Sequence, residues 1–153
     1  MTKELVADAG VVQDLLPRRY QEEIFARAQQ ANVIAALGTG SGKTFISTLL
    51  IKWIASKDSC RDKVIVFLVP KVTLVEQQGE FIAKHTPLRV LKLHGALHMQ
   101  MADQVGWKKR FQQHDVFVMT GMTLSLSQAH LRFSFTSVQP RYSSTFSRIH
   151  IGV

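Results

Sequence analysis

The sequence predicts an α/β fold, a parallel β-sheet with helices on both faces. Three observations carry that prediction. Short apolar runs of five or six residues alternate with longer stretches whose apolar residues recur at helical spacing. The runs are continuous rather than interleaved with polar residues, as suits strands covered on both faces. A glycine-rich loop, "GTGSGKT" at 38–44, joins the first run to the first long amphipathic stretch.

The elements follow in order. Residues 1–16 read as a loose lead-in. "RRYQEEIFARAQQ" (18–30) spaces Tyr20, Ile24 and Ala28 as a helix does, and Pro17 stands before it as a starter. "NVIAAL" (32–37) reads as a first buried strand, stopped by glycine. After the loop, Phe45, Ile46, Leu49, Leu50, Trp53 and Ile54 mark a helix from about Lys43 to Ser56. The polar connector "SKDSCRDK" (56–63) leads to a second strand, "VIVFLV" (64–69), ended by Pro70. A helix is expected over 73–85, weakened by Gly79. A strand at 89–94, a helix over 99–113 that again contains a glycine, and a strand at 115–120 complete the pattern.

Beyond Leu124 the character changes. Residues 125–153 contain no Asp or Glu, are rich in serine and threonine, and sustain neither period. They read as an irregular, poorly ordered tail. The chain therefore divides into the lead-in, a body over 17–124 and the tail.

With 153 residues the chain is long enough for one domain with a core. Its net charge of +8 favours an anionic partner, nucleic acid being the commonest. The single cysteine, Cys60, has no internal partner, which fits a reducing compartment. The start lacks a secretory pattern, and no apolar run approaches the roughly 18–20 residues of a membrane span. A soluble protein of the cytoplasm or nucleus is expected, with no membrane partner. Oligomeric state is not legible.

The loop is the most informative segment. The usual phosphate-loop pattern is G-x-x-x-x-G-K-[ST]. Gly42, Lys43 and Thr44 match its end, while Leu37 occupies the first glycine position and Gly38 and Gly40 lie inside the loop. The chemistry tolerates that departure. Glycines let successive N–H groups of Gly38, Thr39, Gly40, Ser41 and Gly42 turn towards one anion. The helix that starts at Lys43 adds its positive end. Lys43 is placed for the β/γ-phosphates and the Thr44 hydroxyl for Mg²⁺. Upstream, the Gln21 amide can donate and accept together, which suits the N6–H₂ and N7 edge of adenine. The N-K-x-D pattern common in guanine sites is missing, since the chain has one asparagine, Asn32. ATP is therefore favoured over GTP. "WKKRF" (107–111) could stack on nucleic acid, but Trp107 and Phe111 at i, i+4 read better as core with a solvated basic face. His94 and His98 have no further ligand at metal spacing.

Four segments in sequence order resemble superfamily 2 helicases in their first RecA-like lobe, a P-loop NTPase fold. "RRYQEE" (18–23) resembles the glutamine motif, "GTGSGKT" motif I, "LVPKVTLVEQQ" (68–78) motif Ia, and "VFVMTGMTL" (116–124) a later motif in which a strand delivers a threonine to the nucleic-acid backbone. The wording is most similar to the N-terminal helicase region of Dicer-like ribonucleases, with duplex-RNA-sensing helicases and archaeal-type fork translocases as cousins. The resemblance implies ATP and Mg²⁺ as cofactors, adenine recognition by Gln21 with Arg18 or Arg19 and Tyr20 nearby, and phosphate binding by 38–44. It implies contacts with RNA or DNA at Pro70, Lys71, Thr73, Gly95 and Thr120, without sequence preference, double-stranded RNA being the favoured polymer. Pro70 also reads as an ordinary strand terminator, Lys71 as a surface lysine and Thr120 as a common strand-end residue.

The same resemblance exposes a gap. The family hydrolyses ATP with a D-E-x-H motif on a later strand, whose Asp holds Mg²⁺ through water and whose Glu activates the attacking water. The last acidic residue of this chain is Asp115, at the opening end of its strand. No catalytic residue is assigned, and an incomplete lobe that binds ATP without turning it over is expected. The alternative is a non-catalytic module that holds nucleic acid or a partner.

Overall fold

The computed structural model describes residues 16–58, 63–94 and 104–125. Helix α1 spans Arg19–Ala28 and α2 Lys43–Ala55. Strand β1 (Ile65–Val69) leads into α3 (Val72–His85), β2 (Val90–Leu93), α4 (Gln104–Gln113) and β3 (Val116–Thr120). The three strands form a parallel sheet in the order β1-β3-β2. Val66, Phe117 and Leu91 share one cross-strand row, and Leu68, Met119 and Leu93 the next.

Alternation along the strands sorts the core into two layers. Val116 and Val118 of β3 join Val69, Val75, Ile82 and Ile51 on the face covered by α2 and α3. Phe117 and Met119 join Leu91, Leu93 and Trp107 on the face covered by α4. The last strand is buried along its whole length, as its position between two others requires. Trp107 is buried and Phe111 stacks on Phe117 with centroids 5.1 Å apart, while Lys108 and Lys109 are exposed. The cluster at 107–111 is therefore core on one side and solvated on the other.

Three of the four expected strands form. The fourth, 32–37, is an extended segment with a single bridge at Ile34. Ile34 is 83% exposed, whereas Ala35 beside it is buried. An apolar run becomes a buried strand only when a ladder partner and a covering layer are present, and among the described residues this run is not part of the three-stranded sheet. The expected lead-in and tail fall outside the described residues, apart from Leu16 and Ser125.

Gly79, which weakens α3 by composition, has a packing reason. A Cβ there would stand 2.5 Å from Lys92 Cγ. The glycine lets the Lys92 stem cross the helix so that its ammonium pairs with Glu76, at 2.5 Å, and Glu80, at 3.7 Å. That Lys92 contact holds the Glu76 carboxyl below the usual range, and Glu76 in turn raises Lys92. Arg89 and Asp115 clamp the openings of β2 and β3. Arg89 donates from Nε and Nη2 to the two carboxylate oxygens at 3.0 and 2.8 Å, and its backbone N–H donates at 2.9 Å. Asp115 is thus committed at the strand-opening end of the sheet, and its carboxyl is held below the usual range by Arg89.

Candidate functional site

The glycine-rich loop, residues 38–42, lies between the extended segment and α2. Gly40 and Gly42 have φ of +78° and +76°, a region where side chains are strained. Around them the loop is internally tied. Ser41 donates from its hydroxyl to Gly38 O at 2.7 Å. Lys43 Nζ donates to Leu37 O at 2.9 Å and to Gly38 O at 3.2 Å, so the ammonium is held at the mouth of the loop. A Cβ at Gly38 or Gly40 would meet nothing within 4 Å, so that side of the loop is open.

Helix α1 braces the loop. Gln21, at the third position of the helix, accepts the Arg18 N–H through Oε1 at 2.9 Å, the reciprocal half of a capping box. Its Nε2 donates to Ser41 O at 2.9 Å, and the Tyr20 hydroxyl donates to the same carbonyl at 2.6 Å. The contact is close enough that a Cβ at Gly42 would stand 2.5 Å from Gln21 Nε2. Gln21 is buried, and the chain itself engages its amide. Arg19 instead points outward and pairs with Glu23 at 3.2 Å, its side chain 93% exposed.

Beside the loop, at the C-terminal end of β1, lies a cavity of about 100 Å³. Its polar wall is Lys43, Thr44, Ser47 and Gln78, and its apolar wall runs along Phe67–Pro70 and Leu74. Ligands of open parallel sheets bind at this end of the strands. Lys43, Thr44 and Pro70 thus meet at one cavity, although 26 positions separate Thr44 from Pro70. Lys71, the N-cap of α3, and Thr73, in its first turn, are exposed. Gly95 lies outside the described residues. Thr120 is buried, and its hydroxyl sits 3.0 Å from the Thr123 hydroxyl and accepts the Thr123 N–H at 3.3 Å. Its side chain caps the helical turn that follows β3.

Two residues of the site carried little signal in the sequence. Tyr20 was marked only as a neighbour of Gln21. Gln78 was one of two adjacent glutamines in an amphipathic helix, and nothing in the spacing singles it out.

A parallel sheet with a lysine-bearing glycine loop at a helix N terminus is an α/β core of the RecA-like kind. The comparisons make it a helicase core. A family model described as type III restriction enzyme, res subunit (ResIII), matches residues 14–146, and the chain belongs to that family. The chain is 39% identical over 120 residues to Dicer-like protein 1 of Neurospora crassa, a match covering 74% of this chain and 8% of that protein. It is 42% identical over 110 residues to Endoribonuclease Dicer homolog 1 of Arabidopsis thaliana, covering 70% and 6%. The crystal structure of the Pyrococcus furiosus Hef helicase domain superposes with a TM-score of 0.60 at 25% identity, covering 76% of this chain and 24% of that one. The chain therefore spans less than a tenth of the length of these two curated relatives. Together these matches mark a superfamily 2 helicase domain of the Dicer-like type. Among the described residues, no helix is long and apolar enough to cross a membrane.

Proposed function

We propose that the chain binds ATP with Mg²⁺ through residues 38–44 and contributes one wall of a nucleic-acid path. The observation that carries this reading is the Lys43 ammonium. It is held on two loop carbonyls beside two left-handed glycines and an open loop surface. A phosphate group competes for the ammonium with two neutral carbonyls, and a charge-assisted contact outweighs a neutral one. The open loop fits an anion, and the cavity beside it offers the Thr44 hydroxyl to a hard cation. Bound Mg²⁺ would neutralise charge on the β- and γ-phosphates. Tyr20 and Gln21 hold Ser41 O and so fix the loop, and Gln21 reads adenine if its amide turns from that carbonyl. Pro70, Lys71, Thr73, Gly95 and Thr120 are proposed as sequence-independent backbone contacts to double-stranded RNA, in an intracellular RNA-silencing setting. These 153 residues by themselves do not turn ATP over, because their last carboxylate, Asp115, is committed to Arg89.

Calorimetry of the full chain tests the reading. ATP should bind more tightly than GTP, and Lys43→Ala should weaken ATP by about 1.5–3 kcal/mol. Equal affinity for the two nucleotides would remove the adenine role of Gln21. No change on Lys43→Ala would remove the loop. Phosphate release stimulated by duplex RNA and lost in Lys43→Ala would overturn the inactivity.

A further inference from the structure

One backbone carbonyl of the glycine loop takes two side-chain donors. Ser41 O accepts the Tyr20 hydroxyl at 2.6 Å and the Gln21 amide at 2.9 Å. The donors are neighbours in α1, and Gln21 Nε2 also donates to the Tyr20 oxygen, at 3.4 Å. A carbonyl oxygen has two lone pairs, so the second donor does not displace the first. One donor already satisfies the carbonyl. The other is redundant while both stay in place, and it matters once one of them leaves.

Gln21 is the donor with a second task. In the nucleotide reading above, its amide turns from Ser41 O to the adenine edge, where it donates and accepts together. The turn withdraws Nε2 from the carbonyl and Oε1 from the Arg18 N–H. The second loss falls on the start of α1 whatever residue stands at 20. The first does not. With a tyrosine there, the single phenol proton still reaches Ser41 O and the loop keeps its tie to α1. With a phenylalanine, Gln21 could leave only by stripping a partly buried acceptor of both its donors, which is unfavourable. Guanine offers an acceptor where adenine offers a donor, so GTP gives Gln21 less reason to leave. We propose that Tyr20 is a specificity-determining positioning residue: it holds Ser41 O in place of Gln21 and so releases the glutamine to read adenine. The inference rests on the nucleotide reading and adds a residue to it.

The test is calorimetry of the full chain with ATP and with GTP, for wild type, Tyr20→Phe, Gln21→Ala and the double variant. Tyr20→Phe should lower the preference for ATP over GTP about tenfold, near the lower end of what an acceptor left unpaired costs. Without nucleotide it should melt as wild type does, because Gln21 keeps the carbonyl paired. In the Gln21→Ala background there is no glutamine to release, so adding Tyr20→Phe should leave the preference where Gln21→Ala put it. A Tyr20→Phe chain that loses affinity for both nucleotides equally overturns the proposal, since a structural brace alone would do that. So does a further fall in preference in the double variant, which would mean that Tyr20 acts on the base without Gln21. A ligand-free Tyr20→Phe chain that melts well below wild type removes the redundancy and overturns it too. Wild type that binds no nucleotide, or binds ATP and GTP alike, overturns the nucleotide reading itself, and this one with it.

Discussion

Replacing Gly42 by alanine separates two costs that the structure places on one residue. The first is backbone. At φ +76° an L side chain costs about 1–2 kcal/mol. The second is the brace. The new Cβ would stand 2.5 Å from Gln21 Nε2, at the end of a flexible side chain. Gln21 can swing away, but then it loses its hydrogen bond to Ser41 O, worth about 1 kcal/mol in a partly buried site. The sum is about 2–3 kcal/mol. Gly40→Ala is the matched control, since its φ is +78° and its Cβ would meet nothing within 4 Å. It should show the backbone cost alone, about 1–2 kcal/mol. Urea unfolding followed by the fluorescence of Trp53 and Trp107 measures both. The double variant Gly42→Ala with Gln21→Ala should cost less than the sum of the two singles, because the brace can be lost only once. Equal costs at Gly40 and Gly42, together with additivity in the double variant, would refute the brace.

Two further outcomes follow from the ion pairs. Gly79→Ala should destabilise the chain despite alanine's better helix propensity, and Lys92→Ala in the same chain should restore that propensity gain, measured by urea midpoints. The Asp115 carboxyl is depressed by Arg89. A depressed carboxyl contributes stability that is full above its unfolded value, near pH 4, and is lost as the pH falls through the folded value. Wild type should therefore lose stability on acidification below about pH 4, and Asp115→Asn should flatten part of that decline. Salt should weaken the contribution, because the pair is largely solvent-accessible.

The sheet was legible because its strands are short apolar runs and its helices repeat at 3.6 residues. Both patterns are local, and both survived in β1, β2, β3 and the four helices. The shape of the glycine loop was legible for the same reason, since glycine at 40 and 42 is what a left-handed backbone needs. Gly79 shows the limit. Its local effect is unfavourable, and its reason lies in Lys92, thirteen positions on and in another element. Gln78 shows it again, because only the fold brings one of two adjacent glutamines to the wall of a cavity. At Thr120 the hydroxyl is engaged by Thr123, in a turn whose geometry no periodicity announces.

The segment 32–37 marks the deeper reason. "NVIAAL" and "VIVFLV" are alike as strings, and only the second is a strand. What differs is the company each finds. Within β1, Ile65, Phe67 and Val69 pack under α3, while Val66 and Leu68 extend the rows of Phe117 and Met119 beyond the cover of α4 and are 39% and 42% exposed. Among the described residues β1 has no neighbour on its second edge, and Ile34 is more exposed still. An apolar run encodes the demand for burial. The layer that meets the demand is encoded elsewhere, so neither a strand's existence nor its burial can be read from the run alone.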